Sequence, residues 1–282
     1  MFLWLTLPIL LLLAIGFGFS FYLTKRAYLK EVNSPAEYGL AFEKISFQTA
    51  DGLTLRGWLV PGSDPERVVV LLHGHGGSID YDLQYVPYLY AAGYNVLQFD
   101  FRGHGRSQGN VVTLGYLERM DVQAAVKFLL GRGLRRIALH GFSQGGMVAI
   151  TSAPIIPEIA VVIDDGAPVR LRSAIRAWCR DHHIPPAVAP FLSFLVTSVT
   201  SLRLGANLYR YEPVRWVGKI APRPLMLIHG ELDKYVFDFD DLLKAAHPTE
   251  VWRLPAEGHV TTSINLRDEY WKRVIEFLQK YL

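Results

Sequence analysis

The chain has 282 residues, of which 50% are hydrophobic and 20% are charged, with 29 basic and 26 acidic side chains. This composition excludes a disordered chain, a collagen and a coiled coil. The single cysteine, Cys179, excludes an intrachain disulfide, and we expect it to be buried as a small apolar side chain. A formal net charge of +3 is too small to indicate a nucleic acid partner.

The chain begins with an apolar segment, because no Asp, Glu, Lys or Arg precedes Lys25. As a helix at ~1.5 Å per residue, the run Phe2–Leu23 would be about 33 Å long, enough to cross the ~30 Å hydrocarbon core of a bilayer. The alternative is a cleaved secretory signal, but the basic start and small-residue cleavage site of such a signal are not found here. We therefore predict a transmembrane anchor at residues 1–24.

Basic residues follow this segment at Lys25, Arg26 and Lys30. The positive-inside rule then favours a cytoplasmic main domain, although the free amino terminus adds a charge on the opposite side. We predict a basic juxtamembrane linker at residues 25–41 and a single folded domain at residues 42–282, with the lipid bilayer as a partner.

From residue 42 the pattern predicts a hairpin followed by alternating strands and helices. The predicted strands are Phe42–Gln48, Leu53–Val60, Val68–Leu72, Tyr94–Phe99, Arg136–His140, Ile159–Ile163, Leu225–His229 and Glu250–Leu254. The predicted helices are Tyr81–Ala92, Gly115–Leu130, Gln144–Ser152, Phe239–Ala246 and Ile264–Tyr281. Continuous apolar strands joined by helices predict an α/β fold with a mostly parallel sheet and helices on both faces.

In such a sheet, ligands bind beyond the carboxyl ends of the strands. The strongest candidate there is Gly141-Phe142-Ser143-Gln144-Gly145, which lies between a predicted strand and a predicted helix. A sharp strand-to-helix turn needs small neighbours and exposes its serine hydroxyl, so the pattern predicts a nucleophile at Ser143. The alternative is a glycine-rich turn whose serine only caps the helix.

A second candidate is the segment His73-Gly74-His75-Gly76-Gly77, which follows the strand Val68–Leu72. Its glycines allow close approach of a substrate, and the backbone amides of His75 and Gln144 could together stabilise an oxyanion. Two nearby histidines could instead bind a metal, but no acidic or cysteine partner lies at a suitable spacing, so no metal is expected. We interpret His73 as a loop-stabilising residue.

Two further residues complete a possible triad, since a serine needs an imidazole base and the imidazole needs a carboxylate. Asp233 follows the strand Leu225–His229, and His259 follows the last strand. The order Ser143, Asp233, His259 is the one expected for this architecture. Asp238 is the alternative acid if Asp233 is only a turn residue.

Together these motifs resemble the α/β-hydrolase fold, and in particular its membrane-anchored serine hydrolases and its S33-like peptidase or esterase branches. The resemblance runs from about residue 42 to the end of the chain and includes the segments HGHGG, DFRGHGRS, GFSQGG and HGELDKYV. It implies Ser143 as nucleophile, Asp233 as acid, His259 as base and the amides of His75 and Gln144 as the oxyanion hole. Phe237 stands where relatives usually carry proline.

Other charged residues near these motifs receive a structural interpretation. Asp100 and Arg102, in the segment DFRGHGRS, are predicted to brace neighbouring loops. Asp164 and Asp165 end another strand, and no role is assigned to them.

Residues 168–216 interrupt the alternation and are predicted to form a helical cap. The segment holds seven arginines and two acidic residues. Arg172, Arg176 and Arg180 recur every four residues and predict an arginine stripe on one helix, which could bind an anionic membrane surface or a substrate carboxylate or phosphate, or could simply be solvated. Ile184–Leu202 carries no charge, but its early prolines favour an apolar lid helix over a second membrane span.

These features predict a membrane-anchored serine hydrolase that cleaves a carboxylic ester or thioester of a small acyl substrate through an acyl-enzyme, without a cofactor. A serine aminopeptidase or amidase with the same triad is one alternative. A non-catalytic binding module on a hydrolase scaffold is another, and the oligomeric state is left open.

Overall fold

The computed structural model describes the backbone of residues 2–28 and 33–282, and the side chains of residues 10–28 and 33–282. Lys30, one of the three predicted flanking cations, lies outside these ranges. The strands are β1 Glu43–Gln48, β2 Thr54–Val60, β3 Arg67–Leu72, β4 Asn95–Phe99, β5 Arg136–Phe142, β6 Ile159–Asp165, β7 Leu225–Gly230 and β8 Glu250–Leu254. The helices are α1 Phe2–Thr24, α2 Ile79–Asp82, α3 Val86–Ala91, α4 Glu118–Gly131, α5 Gln144–Ser152, α6 Leu171–Asp181, α7 Ala189–Arg203, α8 Phe239–Ala245, α9 Thr262–Asn265 and α10 Arg267–Tyr281.

In the described part of the chain, eight strands form one sheet in the order β1-β2-β4-β3-β5-β6-β7-β8. Strand β2 is antiparallel to both of its neighbours, and the remaining pairs are parallel. The predicted hairpin and the predicted mostly parallel sheet are both confirmed.

The sheet is covered on both faces, as continuous apolar strands require. Along β3, Val68, Val70 and Leu72 belong to one apolar cluster, which also contains the inner residues of α4 and α5. Val69 and Leu71 point to the opposite face and pack in the cluster that contains α3 and α10. The alternation of side chains along one strand therefore builds two cores, one on each side of the sheet.

Two predicted helices are interrupted in the structure. The predicted helix Tyr81–Ala92 divides into α2, a 3-10 turn and α3, and Pro87 lies in the first turn of α3, where its missing N–H is tolerated. The predicted helix Ile264–Tyr281 divides into α9 and α10 at Leu266, whose backbone leaves the helical region with φ −114° and ψ 40°.

Between β6 and β7 the chain forms α6, α7 and short 3-10 turns, at the place of the predicted cap. Helix α7 begins after Pro185 and Pro186 and contains 15 residues, as expected for a lid helix. Across residues 10–28 and 33–282, no helix combines the length and apolar character needed to span a membrane. The predicted anchor also includes residues 1–9, whose side chains lie outside the described set, so the anchor stays a prediction.

The turn between β5 and α5 is held in an unusual conformation. Ser143 has a φ of +53°, and its backbone N–H donates to the carbonyl oxygen of Asp165 at 2.8 Å. Glycines are required beside it, because a Cβ on Gly141 would lie 2.3 Å from the carbonyl group of Gly145, and a Cβ on Gly145 would lie 1.9 Å from the carbonyl oxygen of Leu72. Packing of β3 against the turn therefore explains Gly145, and the close approach of β5 to the start of α5 explains Gly141.

A buried ion-pair network fixes the loop after β4. The Arg102 guanidinium lies 2.7 Å from Asp121 and 2.8 Å from Asp51, and the Arg102 side chain is only 2% exposed. The carboxylate of Asp100 accepts hydrogen bonds from the backbone N–H groups of Ile79 and Arg106. The prediction that Asp100 and Arg102 brace neighbouring loops is confirmed.

We expect Gly145→Ala to lower the free energy of unfolding by at least about 2 kcal/mol, because the added methyl group overlaps backbone that cannot move without breaking the β3–β5 pairing. Gly131→Ala is the matched control, since nothing lies within 4 Å of its added Cβ. It should be neutral or stabilising by up to about 1 kcal/mol. Urea unfolding of both variants measures the difference, and equal stabilities would contradict this account of the turn.

We expect Arg102→Ala to cost about 3–5 kcal/mol of unfolding free energy, because it leaves the Asp121 carboxylate buried without its partner. The control is Arg132→Ala, which breaks an exposed ion pair with Glu43 and should cost no more than about 1 kcal/mol. Urea denaturation monitored by tryptophan fluorescence gives both values. A loss below about 1 kcal/mol for Arg102→Ala would show that the network does not stabilise the loop.

Candidate active site

Three predicted residues form a continuous hydrogen-bonded chain. The Ser143 hydroxyl lies 2.9 Å from Nε2 of His259, and Nδ1 of His259 lies 2.7 Å from Oδ2 of Asp233. With Nδ1–H donating to the carboxylate, the Nε2 lone pair is free to accept the serine proton. The arrangement can therefore activate a hydroxyl nucleophile.

The sheet positions these three side chains at its carboxyl edge. Ser143 follows β5, Asp233 lies in the loop after β7, and His259 lies in the loop after β8. The second carboxylate oxygen of Asp233 accepts hydrogen bonds from the backbone N–H groups of Tyr235 and Val236, at 2.7 and 3.1 Å. The Asp233 side chain is 1% exposed and that of His259 is 25% exposed, so the carboxylate is fixed while the imidazole faces the site opening.

Asp238, the alternative acid, contacts residues at the beginning of α6. Its carboxylate lies 2.9 Å from the Arg170 guanidinium and accepts a 2.6 Å hydrogen bond from the Ser173 hydroxyl. Asp238 thus ties the loop after β7 to the beginning of α6, and Asp233 is the carboxylate that contacts His259.

Ser143 and His259 open into a pocket of about 330 Å³, within the ~300–1,000 Å³ range of small-molecule sites. Among the side chains that the structure describes, no Asp, Glu, Lys or Arg lines it. The lining residues are Phe19, Leu23, His75, Leu114, Ser143, Gln144, Met147, Pro168, Leu171, Ala174, Ile175, Trp178, Tyr235 and His259. An apolar pocket beside a hydroxyl nucleophile suits an uncharged aliphatic or aromatic group.

The residues predicted to supply oxyanion-binding amides both lie at this pocket. Gln144 is the first residue of α5, where backbone N–H groups have no partner within the helix. His75 lies in the loop after β3, and a Cβ on neighbouring Gly74 would be 3.5 Å from the Cβ of Ser143. The loop after β3 therefore lies directly beside the proposed nucleophile.

His73 has the loop-stabilising role that its position predicted. Its Nδ1–H donates to the carbonyl oxygen of Gly74 at 2.9 Å, and its Nε2 accepts from the N–H of Phe101 at 3.0 Å. Burial lowers the pKa of His73 to about 4, so the ring is neutral and Nε2 can accept at neutral pH. Within the described residues, no three His, Cys, Asp or Glu side chains are grouped as metal ligands.

A buried polar network lies behind the proposed nucleophile. The Tyr270 hydroxyl donates to Asp165 at 2.9 Å and lies 2.8 Å from Nε2 of His140. Burial raises the pKa of Asp165 to about 7. Since the backbone carbonyl of Asp165 also holds the N–H of Ser143, the network links α10 to the turn that carries the serine.

The predicted substrate-binding arginines lie outside the pocket. Arg172, Arg176 and Arg180 are exposed on the outer face of α6, whereas Leu171 and Ile175 on its inner face line the pocket. The guanidinium groups of Arg176 and Arg180 lie 5.9 and 5.7 Å from the centre of the Phe237 ring. The structure does not bring the stripe to Ser143, and its predicted role at a membrane or a charged substrate group stays a prediction.

Among the wall residues that sequence reasoning missed are Phe19 and Leu23, which lie in the segment predicted as a membrane anchor. That segment is apolar on every side and shows no periodicity that would mark an inner face. In the sequence, two polar residues spaced four apart, Ser20 and Thr24, could have indicated an inner face of this helix. The structure buries both of them.

Two curated proteins of known sequence are similar to this chain. The protein YfhR of Escherichia coli strain K12 is 26% identical over 96% of this chain and 94% of its own length. A yeast protein named as an uncharacterized membrane protein, YNL320W of Saccharomyces cerevisiae, is 26% identical over 42% of this chain and 43% of its own length.

Among solved structures, the esterase Pf2001 of Pyrococcus furiosus superposes with a TM-score of 0.74 at 26% identity, covering 92% of this chain and 98% of the esterase. The model of the alpha/beta hydrolase family matches residues 69–276. That range runs from β3 into α10 and contains the serine, the aspartate and the histidine. The chain therefore belongs to the alpha/beta hydrolase family.

Proposed function

We propose that this protein is a serine hydrolase that cleaves carboxylic esters or thioesters through an acyl-enzyme formed on Ser143. The observation that carries the proposal is the hydrogen-bonded chain from Asp233 through His259 to Ser143, which ends in an uncharged pocket. The likeness to a structure named as an esterase supports the same reaction class.

In the first half-reaction, the Ser143 oxygen attacks the substrate carbonyl carbon while Nε2 of His259 accepts the hydroxyl proton. Asp233 holds the imidazole in the required tautomer and stabilises the imidazolium that forms. Backbone amides of His75 and Gln144 donate to the developing oxyanion. The tetrahedral intermediate then collapses, and His259 gives its proton to the departing alcohol or thiol.

In the second half-reaction, water replaces the leaving group. His259 removes a proton from the water, the hydroxide attacks the acyl carbon, and collapse of the second tetrahedral intermediate returns the proton to Ser143. A carboxylic acid leaves. Each step uses side chains that already lie within hydrogen-bond distance of one another.

The pocket favours an ester or thioester over an aminopeptidase substrate. A buried α-ammonium group needs an anionic partner such as a carboxylate, and the described residues that line the pocket include no acidic side chain. A non-catalytic binding module would have no need of an imidazole held between a serine and a buried aspartate. The acyl group and the leaving group are chosen by the pocket walls.

We expect the full-length protein in detergent to hydrolyse p-nitrophenyl butyrate and to bind a fluorophosphonate probe covalently. Ser143→Ala should abolish the labelling and lower hydrolysis by roughly 10³-fold or more, because the nucleophile is removed. In-gel fluorescence and absorbance of released nitrophenol measure the two effects.

The matched control is Ser63→Ala, which changes an exposed serine in the β2–β3 connection and should keep both signals. Unchanged labelling of Ser143→Ala would place the nucleophile elsewhere. Absence of both labelling and ester hydrolysis in the wild type would refute the enzyme proposal.

We also propose that α1 anchors the domain in a membrane, with the Lys25 and Arg26 side on the cytoplasmic face. Helix α1 carries no charged side chain, and the described residues Leu10, Leu11 and Phe21 are 57–61% exposed, so their apolar surface is not covered by the domain. Lipid would cover it. The exposed arginine stripe of α6 would then contact anionic headgroups.

We expect the full-length protein to stay in the membrane pellet after carbonate extraction. A double variant, Leu11→Arg with Leu12→Arg, should move most of it to the supernatant, because each arginine near the centre of a span costs about 2.5–3.5 kcal/mol. Leu232→Arg, at an exposed leucine after β7, is the control and should stay in the pellet. Carbonate-soluble wild-type protein would rule out a transmembrane anchor.

A further inference from the structure

The last turns of α1 are packed into the cap. A Cβ on Gly16 would lie 3.1 Å from Cγ of Leu195 and 3.2 Å from Cγ2 of Val199, so the glycine allows α1 and α7 to approach closely. The Phe19 ring lies 4.3 Å from the Trp178 ring, measured between centroids. Because α6 and α7 belong to the cap, the end of α1 packs against the cap.

Polar contacts fix the position of α1 along its axis. The Arg203 guanidinium, at the end of α7, donates to the hydroxyl and the carbonyl oxygen of Ser20 at 2.9 and 3.2 Å, and also contacts the Thr24 hydroxyl. The carbonyl oxygen of Thr24 accepts from the N–H of Val112 at 2.9 Å. Ser20 and Thr24 are at most 1% exposed, so these contacts are shielded from water.

One contact reaches the candidate site directly. Nε2 of His75 donates to the carbonyl oxygen of Leu23 at 2.8 Å. His75 belongs to the loop proposed to stabilise the oxyanion, so the end of α1 and this loop hold each other in place.

On the inner side of α1, Phe19 and Leu23 lie one turn apart and face the same cavity as Ser143 and His259. Other parts of the lining are aliphatic or sulfur-containing, among them Leu114, whose cluster Leu23 packs against, and Met147. A substrate carbonyl carbon at the Ser143 hydroxyl would place its acyl substituent in this uncharged space.

We propose that α1 is a wall of the acyl-binding pocket and that Phe19 and Leu23 determine which acyl chain length the enzyme accepts. The proposal rests on the proposed ester hydrolase function and names its substrate class as esters of apolar carboxylic acids. The helix proposed to enter the membrane thus also sets specificity, and its side chains contact the acyl chain.

The test compares kcat/KM of the full-length protein in detergent for p-nitrophenyl esters of 4, 8, 12 and 16 carbons. Phe19→Ala enlarges the pocket and should raise the ratio of the 12-carbon to the 4-carbon ester by about tenfold or more, because a single methylene in an apolar pocket is worth about tenfold or more. Leu23→Phe narrows the pocket and should lower the same ratio by a similar factor.

Phe17→Ala is the matched control, since this phenylalanine lies on the same helix but is 41% exposed and does not line the pocket. Its ratio should equal that of the wild type. Fluorophosphonate labelling of Ser143 shows for each variant whether the site is folded. If Phe19→Ala is not labelled, the chain-length ratio of Leu23→Phe still tests the proposal.

The experiment distinguishes failure of this inference from failure of the proposed function. If the wild type hydrolyses these esters and folded Phe19→Ala and Leu23→Phe both keep its chain-length ratio, α1 does not form the acyl wall and this inference is overturned. If the wild type neither hydrolyses an ester nor reacts with the probe, the proposed function itself fails.

Discussion

The candidate site depends on one backbone constraint, the positive φ of Ser143 between β5 and α5. A non-glycine residue in such a region costs about 1–3 kcal/mol and persists only where its surroundings enforce it. Here the enforcing contacts are the pairing of β5 with strands on both sides, the hydrogen bond to Asp165 and the two glycines that fit against backbone. The core holds the serine hydroxyl where His259 can reach it.

Much of the fold could be predicted from the sequence, because a strand buried on both faces must be apolar throughout. The run around Val68 and Leu72 is an example, and its bounds are nearly those of β3. Helix ends were harder, since Pro87 and Leu266 interrupt segments whose composition is otherwise helical. The three residues of the hydrogen-bonded chain could be predicted because parallel strands bring their carboxyl ends to one edge.

The sequence favoured Asp233 as the acid but left Asp238 as an alternative, because both follow β7 in the same loop. Only the contacts separate them, one with His259 and the other with Arg170. The position of the arginine stripe was uncertain for a similar reason: periodicity shows that Arg172 and its neighbours share a face, but not what that face contacts. In α1 the apolar residues show no periodicity, and the pair Ser20 and Thr24, four residues apart, is the feature that indicates the face packed against the domain.

The contacts of Ser20, Leu23 and Thr24 would be lost if a protease cut the chain after α1. Proteolytic shedding after α1 would release a domain that still contains Ser143, His259 and Asp233. If α1 stayed behind, that domain would lose one side of its pocket and the acceptors for Arg203 and His75. Water would then enter beside the acyl-enzyme. Under the proposed anchoring and acyl-pocket roles of α1, one irreversible cleavage would change both the location and the selectivity of the protein.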